Sequence, residues 1–464
     1  MSENARKIIK VSKNITKQRK DTVMSRFFLP EDVRWILEKL ESAGHRADIV
    51  GGPVRDMIRG TQPHDFDITT SALPEETKAV FEGERIIETG IKHGTVSLIK
   101  NGEQYEITTY RIDGEYEDSR HPTSVEFTKR IEEDLARRDF TVNAIAYSEK
   151  HGITDPFGGS DDIKKKIIRA VGNAEKRFDE DALRIIRGIR FASTLGFTIN
   201  AETKSAMLKK SPLLLNISKE RIFTEWKKLI DGNSAIEIIK EYKPIIDVFL
   251  PEVKIPENLN REAFLASSHM ARHISLLASA GESGYRLAMR RLKTDNLTAK
   301  SGASVISALG KYGRDKASLA FLLRDLGAEN ARLLIECEAI LGITSTNDSA
   351  TSEEEKCYTT YRLSNFTAIE SSDHGSSAST DDFSGFEIAE QSVISYHLND
   401  LKKLQEVENS GIPYRLSDLA VSGTDLMAKG LTGAAIKEAL IALQTLVLRG
   451  EIPNNKESLL SAIN

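Results

Sequence analysis

Cysteine is almost missing from this chain: Cys337 and Cys357 are the only two in 464 residues. That is too few for a disulfide framework and fits a reducing compartment. No apolar run approaches the ~20 residues of a membrane-spanning helix, and the first residues lack the apolar core of a secretory signal. A cytoplasmic protein with no membrane partner is expected. An excess of one charge is missing as well, with 64 Lys and Arg against 69 Asp and Glu. Any nucleic acid must therefore be held by local basic surface and not by net charge. What is present is apolar residue enough, 40% of the chain, to build several cores over this length.

The most informative stretch runs from Val50 to Thr70. The end of a strand at Asp48–Val50, a side-chain-free turn at Gly51-Gly52, a helix from Pro53 to Arg59 closed by Gly60, and a second strand from Asp65 to Thr69 follow one another. Proline suits the first helical position. Bare N–H groups around Gly52 at a helix N-terminus leave room for a phosphate, and Arg55 one turn in adds a charge. In a strand, Asp65 and Asp67 project to one face while Phe66 and Ile68 point into a core. An isolated Asp-x-Asp is ordinary surface charge. After Gly-Gly-x-x-Arg-Asp it reads as a pair of hard oxygen ligands, the kind Mg²⁺ takes together with substrate phosphates.

Further along, Glu31 to Gly44 has the apolar stripe of a helix (Val33, Ile36, Leu37, Leu40). Asn101-Gly102 joins strands Thr95–Ile99 and Gln104–Thr109 in a hairpin, and that hairpin presents Glu106. Arg111 to Phe127 is polar and reads as a loop. Arg137-Arg138-Asp139 sits in an apolar frame. Asp179 to Gly196 reads as one helix, placing Asp181 and Arg184 one turn apart on one face with Arg187 and Arg190 continuing the row. On its own, Asp181–Arg184 is a surface ion pair worth ~0.2–0.5 kcal/mol. Chemically it is also a base template. A carboxylate accepts from the exocyclic amine of cytosine or adenine and a guanidinium donates to the ring acceptors. Uracil and guanine would leave buried polar groups unpaired, at about 1–3 kcal/mol.

These motifs together resemble the polymerase-β-like nucleotidyltransferases, in the bacterial branch that holds CCA-adding enzymes and poly(A) polymerases. The resemblance is strong over Ile36–Leu250 and moderate from Tyr414 onward. It implies an α+β fold: a nucleotidyltransferase head with a mixed sheet and helices (31–160), then an all-α neck (161–250), body (251–343) and tRNA-binding tail (387–464). A basic flexible N-terminus (1–30) and a Ser/Thr/Asp-rich insertion (344–386) lie outside that pattern. The resemblance implies that Asp65 and Asp67 hold Mg²⁺, that Glu106 completes a catalytic triad, that Arg138 contacts phosphate and Asp139 the ribose, and that Asp181 and Arg184 choose the base beside Arg187 and Arg190.

The substrates so implied are CTP, ATP and the 3′ end of a tRNA. An enzyme adding only the final A, a poly(A) polymerase, and an RNA-binding protein without catalysis stay open as alternatives. The full-length loop after Arg111 disfavours an enzyme that adds only CC, and Glu88-Thr-Gly-Ile-Lys-His-Gly-Thr-Val resembles the CCA-adding side. His269 and His273 are expected to be packing or surface residues. In the tail, Gly433-Ala-Ala-Ile-Lys437 departs from the family's Gly-Lys-x-Ile-Gly, which removes one basic contact.

Overall fold

The structure, a computed structural model, describes residues 27–88, 90, 94–114, 125–343 and 398–463. The basic N-terminal residues, most of the loop after Arg111, part of the Glu88–Val96 motif and the insertion lie outside these. The chain divides into two compact units, residues 1–249 and 250–464.

The first unit begins with α1 (Glu31–Ser42), whose Val33, Ile36, Leu37 and Leu40 are buried as the stripe requires. It leads to a seven-stranded mixed sheet made by β1 (Ala47–Val50), β2 (Ile68–Thr70), β3 (Arg85–Ile87), β4 (Thr95–Lys100), β5 (Glu103–Thr109), β8 (Ala146–Ser148) and β9 (Gly152–Thr154). The spatial order is β3-β4-β5-β2-β1-β8-β9. Only β2 and β5 run parallel, with Ile68 opposite Ile107; the other neighbours are antiparallel. The hairpin between β4 and β5 turns at Asn101 (φ 49°) and Gly102 (φ 88°), the left-handed pair that a two-residue hairpin needs. The two-stranded ribbon β6 (Arg111–Asp113) and β7 (Val125–Phe127) stands apart from this sheet. A buried carboxylate lies at the centre of β1. Asp48 accepts from Arg46 Nε (2.9 Å) and Tyr110 Oη (2.9 Å), so its charge is paired and hydrogen-bonded.

The second expected strand is shorter than its sequence suggests. β2 begins at Ile68, so Asp65 to Asp67 lie before the strand, where the Val50 N–H donates to the Asp67 carbonyl (3.0 Å). β1 ends at Val50, so no strand continues on that side, and both aspartates are exposed.

The helical part of this unit corrects a larger expectation. Asp179–Gly196 is not one helix. α6 (Ala174–Glu180) ends where Asp181 turns extended (φ −144°, ψ 102°), and α7 (Leu183–Leu195) starts afresh two residues later. The Asp181 carboxylate accepts from the Leu183 N–H (3.0 Å) and from Arg221 Nη2 (2.8 Å), which satisfies the chain at the break. Gly196 (φ 66°) closes α7. α7 packs on α9 (Lys219–Ile230), with α10 (Ala235–Glu241) and α11 (Lys243–Phe249) following. Gly188 in α7 allows close approach, since a Cβ there would stand 2.1 Å from Met207 Cε and 2.8 Å from the Phe140 ring.

The second unit is helical throughout its described residues. Its helices are Arg261–Ala266, His269–Leu277, Gly281–Arg291, Asn296–Ala308, Lys316–Leu341, residues 398–409, Gly423–Ala428, Ala434–Leu448 and Lys456–Ser461. Gly327 (φ 76°) breaks the long one into two. His273 is buried with its ring edge-on to Tyr285 and Nε2 3.4 Å from Met289 Sδ, a packing role. Leu419, Val421, Leu426, Leu443 and Leu459 form the core of the C-terminal helices. Among the described residues no helix is long and apolar enough to cross a membrane.

Candidate active site

The site is assembled at the ends of β1, β2 and β5. β1 ends at Val50 and the chain turns at Gly51 (φ 81°, ψ −124°) into α2 (Gly52–Arg59), with proline in its first turn and Gly60 (φ 78°) closing it. Gly51 is required twice over. Its φ is one that L side chains avoid, and a Cβ there would stand 3.1 Å from Arg138 Nη1. Gly51→Ala is therefore expected to cost about 1–2 kcal/mol of stability and to raise the KM for the nucleotide by displacing Arg138. Thermal unfolding and initial-rate kinetics on the same variant check both.

Arg138 is half-buried, and burial lowers its pKa from the usual arginine value, with Asp134 opposing most strongly. Among the described residues its one side-chain hydrogen-bond partner is Asp134, 3.4 Å from Nη2, and its buried Nε has none. A guanidinium with donors to spare thus faces the glycine turn and lies near Asp67. That is the arrangement a phosphate group completes.

Asp67 is accessible to solvent, yet surrounded by enough protein that desolvation raises its pKa; Arg138 opposes the rise and Asp65 adds to it. Each carboxylate makes the other's charge costlier, a condition a divalent cation between them relieves. Glu106 comes from the neighbouring parallel strand. Because Ile68 pairs with Ile107, Glu106 lies one register step back, level with Asp67, and is exposed on the same edge.

Arg55 stays beside the glycine pair, its Nη2 3.8 Å from where a Gly52 Cβ would stand, but its donors are engaged. It donates to Asn143 Oδ1 (2.7 Å) and, by Nε and Nη2, to Asp56 (3.0 and 2.9 Å). Asp139 is buried. Its Oδ1 accepts from the Phe140 N–H (2.8 Å) and Asn143 Nδ2 (3.3 Å), while Oδ2 accepts from Arg187 Nε and Nη2 (2.9 and 2.6 Å). Burial by itself would raise this carboxyl, but the Arg187 charge and hydrogen bonds outweigh it and hold it down to about 2. Contact between Asp139 and a ribose would require the Arg187 pair to open.

The depressed value carries a pH dependence. A group whose folded pKa lies below its unfolded value of about 3.9 stabilises the fold above that pH, and the stabilisation is lost as pH falls towards the folded value. Asp139 should therefore contribute ~2–3 kcal/mol at neutral pH that disappears between about pH 4 and pH 2. Urea unfolding of wild type and Asp139→Asn across that range checks this: the difference between them should shrink as pH falls.

Asp181 and Arg184 do not meet in this structure. Arg184 is buried and donates to Glu180 Oε2 (2.9 Å) and to the carbonyls of Arg137 (2.9 Å) and Arg177 (3.3 Å), while Asp181 is held by Arg221. Arg190 binds Glu225 (3.0 Å), which lies 3.8 Å from Arg187. Reading the sequence missed the partners Asp134, Asn143, Arg221 and Glu225, and took Glu180 only as part of the motif before Arg184. Asp134 and Glu180 carry a local signal, Asp134 standing three and four residues before Arg137 and Arg138 and Glu180 four before Arg184. Arg221 and Glu225 come from α9 and carry none.

Residues 47–169 match the Poly A polymerase head domain family, and residues 196–254 the family described as the probable RNA and SrmB-binding site of polymerase A. A CCA-adding enzyme of Geobacillus stearothermophilus is 41% identical over 303 residues, 64% of this chain and 74% of that protein. The chain belongs to the CCA-adding enzyme family. A second CCA-adding enzyme, from Streptococcus pyogenes, is 54% identical over 195 residues, 42% of this chain, and the match spans about half the length of that relative, 48%.

Among solved structures, the Bacillus stearothermophilus CCA-adding enzyme in complex with CTP aligns over 94% of this chain and 97% of its own, with a TM-score of 0.73 and 30% identity. A Thermotoga maritima CCA-adding enzyme complexed with tRNA shares the fold at 18% identity, with a TM-score of 0.56 over 96% of this chain and 98% of its own. The α+β head and helical remainder thus follow the CCA-adding enzyme architecture.

Proposed function

We propose that this protein extends the 3′ end of tRNA by C, C and A from CTP and ATP, without a nucleic-acid template and with release of pyrophosphate. The observation that carries the reading is the parallel register of β2 and β5, which sets Glu106 level with Asp67 beside the glycine turn and the under-partnered Arg138. The named relatives and the structure with CTP support the choice of reaction.

Asp65 and Asp67 would hold Mg²⁺. When bound, the metal lowers the pKa of the attacking 3′-hydroxyl and neutralises charge on the triphosphate. Among the described residues no three His, Cys, Asp or Glu side chains converge closely enough to hold an ion by themselves, and Mg²⁺ at a phosphate-transfer site commonly takes one or two carboxylates together with substrate oxygens and water. Glu106 assists on the side of the attacking hydroxyl. The Gly52 N–H donates to a phosphate oxygen, the Gly51 N–H being taken by the Ile145 carbonyl (3.0 Å); Arg138 donates to the same group, and Arg55 fixes the turn through Asn143. Asp139 holds Arg187 towards the nucleotide.

Asp181 and Arg184 select the base. In the state described here each is engaged elsewhere, by Arg221 and Glu180, so base selection requires both to exchange partners. Arg187 and Arg190 flank them from the next turns of α7. The helical second unit would bind the acceptor arm through duplex shape and phosphate contact. A cytoplasmic location fits this substrate.

Incubation of a tRNA transcript lacking its 3′-terminal CCA with each nucleoside triphosphate in turn tests the reading. CTP alone should extend it, ATP should be used after CTP, and UTP and GTP should be refused. EDTA should abolish the reaction and Mg²⁺ restore it. Long homopolymeric A tails on unrelated RNA would favour a poly(A) polymerase.

A further inference from the structure

Next to the nucleotide grip, and sharing Arg55 and Arg190 with it, the first unit contains a cleft of about 400 Å³ whose wall also includes Arg59, residues 61–64, Lys228 and the carboxylates Asp56 and Asp231. Three arginines and a lysine face two carboxylates there. Arg55 and Arg59 share one of these, Asp56, at 2.9 and 3.2 Å, and Arg190 is paired with Glu225 at 3.0 Å, so the cleft keeps a small surplus of positive charge. Lys228 is exposed and has no hydrogen bond or ion pair among the described residues. A side chain of that kind on a concave basic wall gains nothing from the fold and is available to a ligand.

Two features decide what the ligand is. Arg59 lies seven residues beyond Gly52 along α2, roughly 10 Å at 1.5 Å per residue, which takes it away from a triphosphate seated at the helix N-terminus. The wall formed by residues 61–64 runs directly into Asp65, so the cleft begins next to the aspartate pair, within reach of the phosphates that precede a 3′ end held there. A single strand entering there needs cations spaced along its backbone and no base-specific contacts.

We propose that this cleft, through Arg59 and Lys228 in particular, binds the phosphodiester backbone of the RNA strand just behind its reacting 3′-hydroxyl. The assignment rests on the tRNA-extending activity proposed above. It gives the last unpaired nucleotides of the acceptor strand a track separate from the triphosphate site. Free pyrophosphate shares the same chemistry, and the experiment separates the two sources.

The test compares wild type, Lys228→Gln, Lys228→Arg and the double variant Arg59→Gln/Lys228→Gln. It measures affinity for a tRNA lacking its CCA end from 50 to 200 mM salt, KM for CTP, and inhibition by pyrophosphate. The double variant should bind the tRNA roughly tenfold more weakly, with the slope of log affinity against log salt reduced by about 1.4 for two lost single-strand contacts. KM for CTP and inhibition by pyrophosphate should stay within twofold of wild type.

Lys228→Gln alters an exposed residue and folds regardless, so its smaller slope change, about 0.7, serves as the second reading, and Lys228→Arg should behave as wild type. Unchanged tRNA affinity with a raised KM for CTP or weaker inhibition by pyrophosphate overturns the proposal, because the cleft then serves the triphosphate. So does no change in any of the three. A wild-type protein that fails to extend the tRNA at all would instead defeat the activity itself.

Discussion

Asp67→Ala should lower the single-turnover rate of C addition by roughly 10³-fold or more while leaving the fold and tRNA affinity intact. The side chain is exposed and no packing depends on it, so its loss is a loss of chemistry. A metal-bound transition state draws several kcal/mol from charge neutralisation, and each 1.4 kcal/mol is a factor of ten. Asp65→Ala should behave alike, and the double variant should be little worse than either, because one carboxylate cannot hold the ion in place. A rate within tenfold of wild type, measured at saturating Mg²⁺ with the same unfolding midpoint, would remove these residues from the reaction.

The second large effect concerns choice of base. Arg184→Ala should reduce the preference for CTP over UTP by roughly 5- to 150-fold, the equivalent of one buried polar group left unpaired, about 1–3 kcal/mol. Arg184 also ties Glu180 to two backbone carbonyls, so the variant should unfold at lower temperature as well. The two effects separate in Arg221→Gln, which frees Asp181 without touching Arg184: stability should change little and selectivity should shift. If Arg184→Ala unfolds more easily yet still refuses UTP and GTP, the residue is structural and the bases are read elsewhere.

Much of this site is legible in the sequence because it is local. Gly51, Pro53 and Gly60 mark the turn, start and stop of α2, and Asn101-Gly102 fixes a hairpin whose register then carries Glu106 to its place. Where reading failed, the deciding partner was distant in the chain. Apolar periodicity continues smoothly through residues 179–196, but Asp181 leaves the helix to cap Leu183 and to meet Arg221, 40 residues away. Asp139 is expected at a ribose, and the partner that holds it instead, Arg187, lies 48 residues on. Likewise Arg190 and Glu225 are 35 residues apart. The shortened β2 has a simpler cause: alternation predicts a strand face, but β1 ends at Val50, one step past Ile49, the partner of Ile68, and nothing local to residues 65–67 announces that.

The decisive measurement is extension of a tRNA transcript lacking its last three nucleotides, resolved to single residues, with CTP alone, ATP alone and both. The product should grow by two residues with CTP, by none with ATP, and by three with both, and then stop. Extension of only those transcripts that already end in CC, by a single A, would contradict complete CCA addition and assign the protein to the last step alone.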